Sequence, residues 1–247
     1  LFVLFATGLG VASSHVFNQL IDSDIDAVMT RTRKRPLAAK RISRRGAAVF
    51  GTVLGLASFG LMLWRVNLLT ALLVVAGWVF YVPIYSLWLK RTSPWCTLIG
   101  GVSGAMPTLI GWAAVTGRLD LVPLLLFTFM VIWQCPHFFA LSLFRGEEYK
   151  RAGIPMVVVV SGPLATLRQM LVYTLLMIAP TLALYAAGAA GTGYLATAAV
   201  GGGLYLAGVI AANLQGVERA AFWGKRLFFS SYPYMAAIFI SVVVDRL

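Results

Sequence analysis

From Leu68 to Leu89 the chain reads Leu-Leu-Thr-Ala-Leu-Leu-Val-Val-Ala-Gly-Trp-Val-Phe-Tyr-Val-Pro-Ile-Tyr-Ser-Leu-Trp-Leu, 22 residues without a charge, closed by Lys90-Arg91. A bilayer-spanning helix needs about 20 mainly apolar residues, and this stretch, a segment at roughly 67–88, meets that need. Seven more do so at about 1–21, 46–64, 95–116, 121–144, 167–187, 192–213 and 228–246. The whole chain agrees: 247 residues, 60% apolar and 11% charged, with a mean hydropathy of +0.86. Soluble domains run about 45–50% apolar and about 25% charged, so a cytosolic fold is excluded. Disorder is excluded too, because it needs low hydrophobicity and high charge. The expected fold is an all-α, multi-spanning membrane bundle forming one domain over 1–247.

The net charge of +12 would suggest nucleic acid in a soluble protein. Here the bases sit in short loops between apolar segments, so no nucleic-acid partner is expected and membrane orientation explains them. Seventeen of the 20 bases fall in alternate loops, at 22–45, 90–91, 145–168 and 219–226, leaving Arg65, Arg118 and Arg246 on the other side. The basic face is therefore read as cytoplasmic, in a bacterial inner membrane, with the matrix side of a mitochondrial inner membrane as the alternative. Asp22, Asp24, Asp26, Glu147, Glu148 and Glu218 share that face, with only Asp120 and Asp245 opposite. Cys96 and Cys135 lie in different segments with no zinc or disulfide spacing. The opening Leu1-Phe2-Val3-Leu4-Phe5 has no basic n-region and reads as a truncation inside a hydrophobic helix.

Three constellations carry chemistry. In Asn18-Gln-Leu-Ile-Asp22-Ser-Asp24-Ile-Asp26 the spacing i, i+4, i+8 puts Asn18, Asp22 and Asp26 on one helix face at about 6 Å intervals, if the helix continues. Such hard oxygens suit Mg²⁺, and acids at the membrane plane are costly unless functional. Asp24 should point elsewhere. Arg31-Thr-Arg-Lys-Arg35-Pro-Leu follows directly. Acids followed by bases fit an anion held partly through metal and partly through Arg forks, a diphosphate above all, with Arg31 and Arg35 as candidates. The second is Trp133-Gln134-Cys135-Pro136-His137, where Pro136 should kink the segment. An intramembrane His or Gln needs a partner or ligand, so His137 is a proton donor, a cofactor contact or a packed side chain. The third is Glu147-Glu148-Tyr149-Lys150-Arg151, taken as a loop, where a carboxylate could complete a second metal site. His15 reads as a buried, satisfied histidine. The glycines Gly100-Gly101, Gly104 and Gly201-Gly202-Gly203 read as close helix contacts. Neither a P-loop nor a nucleophile elbow is present.

On these residues the chain resembles the UbiA superfamily of intramembrane prenyltransferases, and within it the haem-farnesylating branch. The resemblance rests on Asn18, Asp22 and Asp26 with Met29-x-Arg31-Thr32-x-x-Arg35-Pro36-Leu37. Tyr85 to Arg91 also carry it, as do Gly100-Gly101, Gly104-Ala105-x-Pro107 and Gly111-Trp112. So do Trp133-Gln134-x-Pro136-His137, Glu148-Tyr149-x-x-Ala152-Gly153-Ile154-Pro155 and the tail from Lys225-x-Leu227-Phe228 to Ser231-Tyr232. It implies nine helices around a cavity, eight of them visible here. The implied reaction moves a farnesyl group from farnesyl diphosphate to a vinyl group of haem b, with addition of water. It implies one or two Mg²⁺ ions, held by Asn18, Asp22 and Asp26, with Glu148 for a second. Arg31, Arg35, Lys90 and Arg91 would bind the diphosphate. Trp133, Gln134, His137 and Tyr149 would face the haem, with His137 catalytic or an axial ligand. Membrane lipid surrounds the protein, and a haem A synthase or cytochrome oxidase assembly factors are implied partners. Two departures stand out: where other members carry a second Asp-x-x-x-Asp this chain has Glu148 and Ala152, and Cys96 stands where an Asn often follows the Lys-Arg pair. Prenylation of a quinone-precursor ring such as 4-hydroxybenzoate is the alternative reaction. A transporter would show paired broken helices in repeated halves, and no such symmetry is visible.

Overall fold

The structure is a computed structural model that describes residues 1–245; Arg246, counted in the charge split, lies outside the described residues. Among the described residues there are helices and no strands. Seven stretches are long and apolar enough to cross a bilayer: Arg44–Arg65, Leu68–Thr92, Cys96–Thr116, Leu121–Arg151, Gly162–Ala186, Thr192–Gln215 and Val217–Val244. The eighth expected span does form a helix, α1 (Phe2–Ile21). It stays outside that set because Ser13, Ser14, His15, Asn18 and Gln19 dilute its second half. The chain divides into two compact units, one of residues 1–120 with 147–155, the other of residues 121–146 with 156–247.

In the first unit α1 and α2 (Ser23–Val28) are followed by α3 (Arg44–Arg65) and α4 (Leu68–Val79). A π-helical stretch (Phe80–Leu89), the short α5 (Lys90–Thr92) and α6 (Cys96–Thr116) complete it. α1 packs closely on α3 through small residues, which let backbones approach where no hydrophobic force drives association. A Cβ on Gly10 would lie 2.9 Å from the Ser58 hydroxyl, and one on Gly55 3.0 Å from that of Ser13. The hydroxyls use this closeness, Ser13 donating to the Gly51 carbonyl (2.7 Å) and Ser58 to that of Ala6 (2.6 Å). The π stretch has a local cause. Pro83 has no N–H to give the preceding turn, and the Ser86 hydroxyl donates to the Tyr81 carbonyl five residues back at 2.8 Å. The wide turn brings Ser86 inward, fully buried. Gly100 packs against the Tyr85 ring as expected of a contact glycine, since a Cβ there would fall 2.5 Å from it.

The second unit contains most of α7 (Leu121–Arg151), α8 (Val157–Val160), α9 (Gly162–Leu176), α10 (Ile178–Ala186), α11 (Thr192–Gln215) and α12 (Ala220–Val244). α7 and α12 approach closely: a Cβ on Gly224 would stand 2.7 Å from the Ala140 carbonyl and 2.8 Å from Leu143 Cβ. Gly201 and Gly202 likewise make room for the Tyr234 ring. Two expectations are corrected. α7 runs through Pro136 as one element and on to Arg151, so Glu147-Glu148-Tyr149-Lys150-Arg151 is helix, not loop. These residues are good helix formers, and the turn ends only at Gly153, whose φ of +66° suits glycine. α12 begins at Ala220, so Lys225 and Arg226 lie in its first turns rather than in a connecting loop.

Candidate functional site

The acid row keeps its single face. α1 closes at Ile21, yet the Asp22 N–H donates to the Asn18 carbonyl (2.8 Å) and the Asp26 N–H to that of Asp22 (2.7 Å), so the one-turn spacing continues into α2. Asn18, Asp22 and Asp26 are 5%, 0% and 2% exposed. Buried carboxylates are tolerated only when paired, and each has its cation. Lys90 Nζ contacts Asp22 Oδ2, and one Arg35 nitrogen spans both Asp26 oxygens at 3.0 and 2.9 Å. The Asn18 amide donates to Asp22 Oδ2 (2.7 Å) and to the Ser86 hydroxyl (3.0 Å), tying the row to the π stretch. Asp22 Oδ1 is buried without a hydrogen bond, with Arg91 Nη2 3.8 Å away.

Asp24 turns outward, as its position on the helix requires, and meets Arg91 fork to fork at 2.7 and 2.9 Å. That guanidinium holds the Asp24 carboxyl well below the usual carboxylate range. Arg91 also donates to the Ile21 carbonyl (2.7 Å) and Arg44 to that of Leu20 (2.9 Å). Both cap the negative end of α1, where cations are favoured. Arg31, the other expected anion ligand, is exposed and takes no partner among the described residues. Glu148 is buried in the last turn of α7, but no group of three or more His, Cys, Asp and Glu side chains among the described residues is close enough to hold one ion. It does not join Asp22 and Asp26 in a shared cluster. His15 is exposed rather than buried, its Nδ1 3.3 Å from the Tyr81 hydroxyl, because it points off the α1 face that packs on α3.

The expected haem set divides. Trp133, Gln134 and His137 lie on α7 in the second unit, whereas Tyr149 is half-buried and belongs to the first. The His137 ring is 4% exposed. It is stacked between Trp133 (4.7 Å between centroids) and Phe228 (4.5 Å), with the edges of Phe138 and Tyr232 against it at 5.0 and 4.8 Å. Its Nδ1 lies 2.7 Å from the Ser231 hydroxyl. Gln134, also buried, returns one amide hydrogen to the Met130 carbonyl at 3.0 Å. The Trp133 indole N–H is buried without a hydrogen-bond partner among the described residues, an unusual cost for a donor out of water. Ser86, Phe228 and Ser231 have no role assigned from sequence; beyond their place in the stretches that carry the resemblance, the signal for the two serines is a small hydroxyl inside an otherwise apolar span.

The chain belongs to the UbiA prenyltransferase family, whose pattern matches residues 1–232. It is 43% identical over 242 residues to a protoheme IX farnesyltransferase of Symbiobacterium thermophilum, covering 98% of this chain and 80% of that protein. A protein of the same name from Roseiflexus castenholzii is 44% identical over 238 residues, 96% of this chain and 44% of that longer protein. Among solved structures, a digeranylgeranylglyceryl phosphate synthase superposes with a TM-score of 0.80 at 20% identity, over 98% of this chain and 85% of that one. A UbiA homologue from Archaeoglobus fulgidus, bound to DMAPP and Mg²⁺, gives 0.64 at 15% identity, over 98% and 87%. At these identities the two structures speak to the fold alone, an all-helical bundle.

Proposed function

We propose that this chain is a protohaem IX farnesyltransferase. It transfers the farnesyl group of farnesyl diphosphate to a vinyl group of haem b, working as one domain from the cytoplasmic face of a bacterial plasma membrane. The observation that carries the reaction is the buried row Asn18, Asp22 and Asp26 with a cation against each carboxylate, in a chain 43% identical to an enzyme of that name. The sidedness is supported by the loop bases, which follow the positive-inside bias.

The donor set fits Mg²⁺: an amide and two carboxylates offer hard oxygens, and Asp22 Oδ1 is a buried acceptor with no hydrogen bond. Mg²⁺ usually takes one or two carboxylates and completes its shell with phosphate oxygens and water, so Asn18, Asp22 and Asp26 suffice for one ion. A second would call on Glu148. When bound, the metal neutralises charge on the departing diphosphate. Lys90, Arg35 and Arg91 already stand at these acids and would turn their N–H groups to the phosphate oxygens as the C–O bond breaks. Donors placed where charge develops are the main source of such rate enhancement. Arg31, exposed on the same segment, would meet the anion on entry. The allyl cation left behind takes the vinyl electron pair, forming the new C–C bond. Water adds to the resulting benzylic-type cation and loses a proton, giving the hydroxyethyl-farnesyl side chain of haem O. Trp133, Gln134 and His137 would hold the haem, and an apolar lining would delay water until that step.

Mass spectrometry of haems extracted from cells expressing the chain tests the reading. Haem O appears if it is right, and falls away with Asp22→Asn. A prenylated benzoate with unchanged haems would identify a different acceptor. Absence of Mg²⁺-dependent diphosphate release from the purified protein would dismiss prenyl transfer altogether.

A further inference from the structure

Ser231 lies within hydrogen-bond distance of two groups but has one hydrogen. Its Oγ is 2.7 Å from the Phe228 carbonyl oxygen and 2.7 Å from His137 Nδ1. A carbonyl can only accept, so the serine hydrogen goes to Phe228. The remaining short contact is then a hydrogen bond only if Nδ1 carries the proton and donates to Oγ. The opposite tautomer leaves the Nδ1 lone pair facing an Oγ lone pair at 2.7 Å in a buried place, where an unmade hydrogen bond is costly. Stacking of Trp133 and Phe228 on the two faces of the ring stops it from turning to relieve that clash.

We infer that Ser231 is a positioning residue that holds His137 as the Nδ1–H tautomer, leaving Nε2 as a Lewis base for a metalloporphyrin iron. The inference deepens the proposed function and rests on its assignment of His137 to the haem side. Among the described residues Nε2 makes no hydrogen bond, so it is the ring nitrogen left for a ligand. A histidine that binds iron is ordinarily oriented in this way by a hydrogen bond at its other nitrogen, and loss of that bond costs about 10–100-fold in affinity.

The chain has two histidines, so ¹⁵N-histidine NMR of the full chain in detergent, with His15→Gln to assign the signals, reads the tautomer without any haem. Wild type should show a pyrrole-type Nδ1 and a pyridine-type Nε2 at His137. Ser231→Ala should lose that preference and bind ferric haem at least tenfold more weakly, with a changed Soret band, and Ser231→Thr should restore both. A pyrrole-type Nε2 in wild type overturns the inference regardless of how any variant folds. So does a Ser231→Ala protein with wild-type nitrogen shifts and haem spectrum. If the tautomer behaves as stated while wild type, Ser231→Ala and His137→Ala bind haem alike, the haem-side assignment itself has failed, and the serine makes a structural bond only.

Discussion

The acid row of the first unit and the histidine box of the second solve one problem by opposite means. Each must keep polar side chains inside an oily helix bundle. Around Asn18, Asp22 and Asp26 the solution is charge against charge, with Lys90 and Arg35 on the acids and Arg91 reaching across to Asp24. Around His137 it is apolar enclosure, with rings on both faces and a single hydroxyl satisfying one nitrogen. An ion-paired site can exchange partners when an anion and a divalent cation arrive together, because each acid already faces a base. A box of stacked rings cannot reshuffle in that way, but it can fix the orientation of one nitrogen. On the function proposed above, the first arrangement would serve a departing anion and the second a ring held in one orientation.

Asp22→Asn should break the charged half most completely. Turnover is expected to fall on the order of 10³-fold, the loss typical when a group that stabilises developing charge is removed. The variant also strands the Lys90 ammonium, so stability falls with it. Asp22→Asn combined with Lys90→Met should recover thermal stability in detergent and leave turnover lost, separating the two effects. A double variant that regained activity would show the carboxylate to be only a partner for the lysine.

Gly224→Ala attacks the other half through packing. The added methyl meets the Ala140 backbone at 2.7 Å, which cannot swing aside, so α12 must retreat from α7 at a cost of about 1–3 kcal/mol. Haem affinity should drop while KM for farnesyl diphosphate stays put. Gly60→Ala is the control: nothing lies within 4 Å of the added carbon, and stability should rise slightly, by up to about 1 kcal/mol. Thermal unfolding of the two variants side by side checks the sign of each.

Arg35→Ala and Arg31→Ala sharpen the charged half. They sit one turn apart in sequence and look alike there. Arg35 alone reaches Asp26, so its loss should raise KM for farnesyl diphosphate about tenfold, the worth of a charge-assisted bond. Arg31, exposed and unpartnered, should change it by about twofold at most. Equal effects would mean that the loop acts as a diffuse positive field rather than through one placed fork.

Much of this architecture can be read from the chain because the bilayer demands long uncharged runs, and because a helix repeats every turn. The span closed by Lys90-Arg91 and the i, i+4, i+8 row are local patterns, and both recur in the structure. What escapes such reading depends on partners far along the chain. Ser86 meets Asn18 across 68 positions and Ser231 meets His137 across 94. Pro83 and Pro136 look equally disruptive as letters, yet one lies in a π stretch because Ser86 takes up the Tyr81 carbonyl, while the other is carried within a continuous helix. The outward turn of His15 and the difference between Arg31 and Arg35 are likewise set by packing rather than by local composition.

The smallest effect concerns the outermost pair. Both Arg91 nitrogens grip Asp24, whose carboxyl is held well below its ordinary value of 3.8. A depressed folded-state value means that the stabilisation is complete above the unfolded value and is lost as pH falls through the folded one. The Asp24 side chain is 64% exposed, so water screens the pair, and Asp24→Asn at pH 7 should cost less than about 1 kcal/mol. The gap between wild type and variant should therefore shrink steadily once the pH drops below about 4. Thermal unfolding at pH 7, 4 and 3 measures it. A gap at Asp24 that widened in acid would reverse the sign argued here and detach the pair from the capping of α1 by Arg91.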